Sequence, residues 1–254
     1  MRDVVIAGIG QTDYGTLWEY SLRDLSAMAV EEALESNKID KIDSIYVGNF
    51  SAGTFVEQEH IGALVADYTG FMPASSTRIE AACASGSAAF RTAFNDVASG
   101  MSEVSLVLGV EKMTDVVTAE AVFSLSLAGD REYEGYQGAT FPALFALIAK
   151  SYMYEFNMPR RALSLVAVKN HENAYSNPKA QFHKKITTAD VESSTMVAYP
   201  LTLYDCSPIT DGASALILMS MDKAKSIGVE KPIKVSANIQ KYRKCGFLCL
   251  RVIL

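Results

Sequence analysis

The chain has 254 residues, 49% of them hydrophobic and 20% charged, a length that buries a full core and a composition that excludes disordered and fibrous classes. Its net charge of −6 argues against a nucleic-acid or anionic-membrane surface, and no apolar run is long enough to span a bilayer. The four cysteines, Cys83, Cys206, Cys245 and Cys249, lack the spacing of a disulfide framework; with ten methionines and no signal-like start, they lead us to expect a reducing, cytoplasmic setting.

In chain order, "DVVIAGIG" reads as a short, almost wholly apolar strand, the pattern of a central strand buried on both faces, and "QTDYG" as a polar turn after it. "SLRDLSAMAVEEAL" opens with Ser21 and Asp24 at capping-box spacing and carries Leu22, Leu25 and Ala29 on one face, which predicts an amphipathic helix covering the sheet. "IDSIYVGNF" is a second strand, "EQEHIGALVADYTG" a helix stopped by Gly70, and "STRIEAA" a third strand. "ASGSAAFRTAFNDVASG" is a helix ended by Gly100, "SEVSLVLGVEKM" a fourth strand and, far downstream, "GASALILMS" a fifth. Alternating strands and helices predict a largely parallel α/β sheet with helices on both faces.

Between Met113 and Tyr199 the alternation lapses into an excursion holding two helical runs, "FPALFALIAKSYMYEF" and, after a proline break, "PRRALSLVAVKNHENAYS". Insertions of this length tend to build binding surface rather than core. Arg160, Arg161, Lys169, Lys179, Lys184 and Lys185 cluster there; a solvated helix face accounts for them more simply than a cradle for a phosphorylated ligand.

In "IEAACASGSAAF" a strand gives way to a helix of small residues, which places Cys83 at a helix N-terminus. Unpaired N–H groups and the macrodipole there favour a thiolate, the position of a reactive cysteine. Free cysteine is also among the most buried residue types, so from physics alone nucleophile and core filler stand about equal.

The motif "EAACASGSAAF" resembles the nucleophile motif of the thiolase family, and "LYDCSPITDGASALILMS" resembles the segment that closes the N-terminal lobe in those enzymes. "GYQGATFPALFALIAKSYM" and "KNHENAYSNPKAQF" are similar to the loop domain of the archaeal and sterol-carrier-protein type. The resemblance covers residues 1 to about 240 and implies an α/β fold built from two similar lobes. Residues 1–115 and 200–235 would form the N-terminal lobe, a βαβαβαββ mixed five-stranded sheet covered by helices. Residues 116–199 would form an inserted helical loop domain. It further implies a homodimer or tetramer and acyl transfer between coenzyme A thioesters, with no other cofactor. For this subtype the reaction is acetyl-CoA C-acetyltransferase: condensation of two acetyl-CoA to acetoacetyl-CoA at the head of the mevalonate route, or the reverse thiolysis. Archaeal members are expected beside HMG-CoA synthase, bridged by a zinc-ribbon and OB-fold protein.

On this reading Cys83 attacks acetyl-CoA to form an acetyl-enzyme, and a base then deprotonates a second acetyl-CoA whose enolate is held in an oxyanion hole. Gln137 and Gly138 align with the substrate-facing loop, although Tyr136 stands where related enzymes often carry histidine. The base and acid are expected from a second lobe, because His60, His171 and His183 match none of the family's motifs and read as surface or capping histidines. Cys206 is expected to pack in the "DCSP" turn, with Asp205 and Asp211 as turn formers. "KPIKVSA" resembles the opening strand of the second lobe, after which residues 236–254 depart from the family pattern and read as an aberrant or truncated tail. Cys245 and Cys249 have a helical metal spacing but no second ligand pair, so no metal is expected. Two alternatives remain: a ketoacyl-synthase-like condensing enzyme, which the loop-domain resemblance disfavours, and a non-catalytic lobe that binds coenzyme A or dimerises.

Overall fold

The computed structural model describes residues 1–35 and 39–241. The first stretch contains β1 (Val4–Gln11), α1 (Leu22–Leu34), β2 (Ser44–Gly48), α2 (Ala52–Phe55), α3 (Ile61–Tyr68), β3 (Ser75–Ile79), α4 (Ser85–Ser99) and β4 (Val104–Glu111). Next come α5 (Thr118–Ser126), α6 (Phe141–Glu155), α7 (Arg160–Tyr175), α8 (Thr188–Ser193), β5 (Met196–Ala198) and β6 (Leu201–Thr202). Then follow β7 (Gly212–Ser220), α9 (Met221–Ser226) and β8 (Ile233–Lys234). Two compact units result: Met1–Asp115 with Thr210–Lys241, and Val116–Ile209.

The first unit is built on a sheet of order β3-β2-β4-β7-β1-β8. β2 pairs in parallel with β3 and β4, while β4–β7, β7–β1 and β1–β8 are antiparallel. The sheet is therefore mixed, where strand–helix alternation had predicted a largely parallel one. The physical reason is that β7 is not reached through a βαβ crossover; it returns from the inserted unit and is free to enter antiparallel. β8, the "KPIKVSA" segment, adds a sixth short strand to the five expected. β1 is also not central: β7 flanks its length, but β8 reaches only Val5 and Ile6, and Ile9 is 65% exposed. The central places belong to β4 and β7, whose residues are almost all buried.

Side-chain alternation splits the core between two faces. Leu106, Leu108, Ile217 and Met219 pack under α1 and α3, whereas Val107 and Leu218 pack under Ala89, Ala93 and Val97 of α4. α1 begins at the expected capping box, with the Ser21 hydroxyl accepting the Asp24 N–H and the Asp24 carboxylate accepting the Ser21 N–H. It lies directly on β1 because Gly8 and Gly10 have no side chain: a Cβ at either would sit 2.0 Å from the Ala33 or Ala29 carbonyl oxygen. Gly70 and Gly100 both take positive φ where α3 and α4 end, as predicted.

In the second unit α7 and α8 enclose a small core of Ala167, Ile186 and Val191, with Val168 and Tyr204 against it. Thr140 caps α6, its hydroxyl accepting the Ala143 N–H, with Pro142 in the first turn. Arg160 is committed to an ion pair with Asp205, and Lys185 faces Glu172 and the Tyr175 ring. These two members of the basic cluster are thus spent on internal contacts.

Candidate active site

Cys83 is exposed, on the 3-10 turn Ala82–Ala84 that runs straight into α4. It is not core filler. Ala82 before it has φ of 48°, a left-handed conformation that a residue with a Cβ adopts only when its surroundings impose it. The turn is held locally. The Glu80 carboxylate accepts the Ala82 N–H at 2.5 Å, and the Ser85 hydroxyl accepts the Ala81 N–H at 2.9 Å while donating to the Ala82 carbonyl at 2.6 Å. Below, α4 begins against β2 at a point that requires glycine at position 48: a Cβ there would lie 2.7 Å from the Gly86 backbone. A cleft of about 550 Å³ opens on this face of the sheet, bounded by Ala84, Gly86 and Arg91 of the helix segment, Gly109 and Ser214 of the sheet, and Asn238.

Beside the Cys83 turn, the carboxyl ends of the parallel strands hold a second polar group that the sequence reading missed. Asn49 continues the β2–β3 pairing, its N–H donating to the Ile79 carbonyl at 3.2 Å, and its buried amide donates to the Val110 carbonyl and to Glu111 Oε1, both at 2.9 Å. Glu111 also accepts the Phe50 N–H at 2.8 Å and the Ser51 N–H at 3.2 Å. Burial pushes the Glu111 carboxyl above its ordinary range, and the Phe50, Ser51 and Asn49 donors and the Arg78 charge oppose that shift without cancelling it. Arg78 on β3 donates to the Phe50 carbonyl at 2.6 Å and pairs with Glu59 at 2.7 Å. The sequence signal was slight: Asn49 and Glu111 end apolar strands one and two residues after Gly48 and Gly109, which are register partners.

Asp211, expected as a turn former, is instead a fully buried hub at the return to β7. It accepts Lys112 Nζ at 2.8 Å, the Thr114 hydroxyl at 2.6 Å and the N–H groups of Met113, Thr114 and Leu17. Its own burial raises the carboxyl, but these donors outweigh burial and hold it below the ordinary carboxylate range. Lys112, 1% exposed, is disfavoured as a cation by burial, yet its bonds to Asp115 and Asp211 leave it above the ordinary lysine value. Asp205 does form a turn, capping Leu203–Asp205 through Thr202. Cys206 is half-buried at that turn, its thiol pushed up by burial and by Asp205.

His60 precedes α3 without a side-chain capping bond, and His183 is exposed. His171 departs from a simple surface histidine: its Nδ1–H donates to the Lys184 carbonyl at 2.9 Å and its ring stacks on Phe182. Gln137 ends the 3-10 turn Gly135–Gln137, Gly138 follows with φ of 73°, and Tyr136 is 81% exposed. Among the described residues no group of three His, Cys, Asp or Glu side chains is placed to hold a metal, and no helix is long and apolar enough to cross a membrane. Cys245 and Cys249 lie outside the described residues.

A layered α/β unit that presents one exposed cysteine on a strained strand-to-helix turn defines a protein with a candidate cysteine nucleophile. Residues 4–222 match the family described as thiolase, N-terminal domain, and the chain belongs to that family. It is 48% identical over 242 residues to an acetyl-CoA acetyltransferase of Methanothermobacter thermautotrophicus. It is 51% identical over 243 residues to one of Methanocaldococcus jannaschii. Each alignment covers 94% of this chain and 62% of the relative, so the chain spans less than two thirds of their length. A solved acetyl-CoA acetyltransferase from Syntrophomonas wolfei shares the fold with a TM-score of 0.72 at 20% identity, over 90% of this chain and 67% of that one.

Proposed function

We propose that this chain carries the nucleophilic part of an acetyl-CoA C-acetyltransferase, with Cys83 as the acyl acceptor. The observation that carries this reading is the exposure of Cys83 on a strained turn at the start of α4, within the segment matched to the thiolase family. In the first half-reaction the Cys83 thiolate attacks the acetyl-CoA carbonyl, the C–S bond to coenzyme A breaks, and an acetyl-cysteine remains while coenzyme A leaves as a thiolate that takes up the proton removed from Cys83. In the second, the enolate of another acetyl-CoA attacks that thioester and releases the cysteine with acetoacetyl-CoA; the reverse sequence is thiolysis. No hydrogen bond joins Cys83 to a histidine among the described residues, so we assign the proton-transferring groups to the part of the relatives' length that this chain does not span.

We assign residues 116–199 as the loop domain, with Gln137 and Gly138 on its substrate-facing loop, between segments 1–115 and 200–235 of the N-terminal lobe. The exposure of Tyr136 beside them fits a loop that meets a ligand. A homodimer or tetramer is proposed by resemblance to the family. The cytoplasm, the mevalonate route, and HMG-CoA synthase with a zinc-ribbon and OB-fold bridging protein complete the proposal by resemblance to the archaeal type.

Mass spectrometry after mixing with acetyl-CoA tests the reading. An acetyl adduct is expected on the Cys83 peptide and absent from Cys83→Ser. Coenzyme A binding without an adduct sinks the nucleophile assignment and favours the non-catalytic alternative.

A further inference from the structure

We propose that Ser85 is a positioning residue for Cys83: its hydroxyl locks Ala82 in the left-handed conformation, and this lock holds the thiol at the solvent-facing start of α4. The inference rests on reading Cys83 as the nucleophile. One hydroxyl accepts and donates at once, and Ser85 uses both capacities on the same turn, taking the Ala81 N–H at 2.9 Å and giving its proton to the Ala82 carbonyl at 2.6 Å. Those two groups bracket Ala82, the residue with φ of 48°.

Ser85 can act as a lock because it is itself fixed. It is 4% exposed, and the Ser85–Gly86 backbone rests against Gly48, where a Cβ would come within 2.7 Å of either residue. The helix start therefore cannot shift toward the sheet. Glu80 also holds the turn through the Ala82 N–H, but it is exposed and constrains one group where Ser85 constrains two. Without the Ser85 hydroxyl, the Ala81 N–H loses its partner and the Ala82 carbonyl is left with the Ser85 backbone N–H alone. Held only by the exposed Glu80 carboxylate and one backbone bond, Ala82 then returns to negative φ. That rotation is one residue from Cys83, so it carries the thiol away from the helix start.

The test compares alkylation of Cys83 by iodoacetamide across the thiol titration range, read on its own peptide by mass spectrometry, with urea stability measured in parallel on the full chain. Ser85→Ala is expected to slow Cys83 alkylation about fivefold, the scale of a charge interaction with a helix terminus. Ala82→Gly alone is expected to stay within about twofold of the parent, because glycine enters the left-handed region without a Cβ penalty. Combined with Ser85→Ala, it should restore most of the lost rate. A merely structural role for Ser85 would not be rescued by a backbone change at its neighbour. Ala82→Val leaves the hydroxyl in place and opposes the left-handed conformation by β-branching, so it should slow the reaction as Ser85→Ala does. An unchanged rate in either Ser85→Ala or Ala82→Val, or a double variant as slow as Ser85→Ala, overturns the proposal. Acetylation of the parent by acetyl-CoA is scored separately. Its absence removes the nucleophile reading while the alkylation comparison still decides the role of Ser85.

Discussion

Glu111 and Asp211 stand at the same end of the central strand pair, where Glu111 is the register partner of Gly212, and they are held in opposite ways. Asp211 has a buried cation, Lys112, and four further donors, and its carboxyl lies low despite burial. Glu111 has neutral donors in direct contact and the charge of Arg78 near it, and burial keeps its carboxyl high. Burial raises both carboxyls; at Asp211 the Lys112 charge and the other donors outweigh it, and at Glu111 the neutral donors do not. Asp211 ties the end of β4 to the start of β7, whereas Glu111 organises the loop beside the Cys83 turn.

Asp211→Asn should break the comparison most severely. Among the described residues it leaves Lys112 as a buried cation with Asp115 as its one acidic partner, and removing one member of a buried pair costs about 3–5 kcal/mol. Urea denaturation of the two proteins measures this, and a loss below about 1 kcal/mol would show that Asp115 alone suffices. The pH sign follows from the lowered folded value. Asp211 contributes stability above its ordinary pKa of 3.8, and that contribution is lost as pH falls through its lower folded value. The parent should therefore lose this term only under strong acid, and Asp211→Asn should lack it.

Glu111→Gln has a smaller expected effect, about 1–3 kcal/mol, and an opposite pH signature. Among the described residues the direct partners of Glu111 are all donors, so the amide nitrogen of glutamine would face an N–H and leave it unsatisfied. The folded value lies above 4.5, so the contribution of Glu111 is greatest below that pH and is lost as pH rises through the raised value. The deficit of Glu111→Gln relative to the parent should accordingly shrink on going from acid to neutral pH. Parallel urea midpoints across that window measure it, and a deficit that grows with pH sinks the account of Glu111.

These two acids also show where sequence stops. Elements with local causes were readable near their ends: α1 from Ser21 and Asp24, α3 and α4 from Gly70 and Gly100, β4 and β7 from unbroken apolar runs. The sheet order was not, because the insertion of β7 between β4 and β1 is decided by packing across a long sequence separation. The local pattern placed Cys83 at a helix start, but only the resemblance to the thiolase nucleophile motif separated it from a core cysteine. Asp211 read as an ordinary turn aspartate, since Lys112 is 99 residues away and only the fold brings them to 2.8 Å. Glu111 was hidden for the same reason: its donors come from the loop after β2, which reaches it only once β2 and β4 have paired.

Arg78→Gln sharpens the comparison with the least disturbance. The guanidinium is partly exposed and its partner Glu59 is 72% exposed, so that ion pair itself is worth no more than about 1 kcal/mol. The informative effect is on Glu111, whose charged form Arg78 supports. Removing that charge leaves burial less opposed, so the Glu111 carboxyl should rise further. The loss of its stabilising contribution should then begin at higher pH than in the parent. Carbon-detected NMR of the Glu111 carboxyl, with and without Arg78→Gln, reads this shift directly. An unchanged or lower titration midpoint would mean that the charge of Arg78 is spent on Glu59 and the Phe50 carbonyl alone. The contrast between the two acids would then rest on Lys112 and on burial, with no part played by the cation on β3.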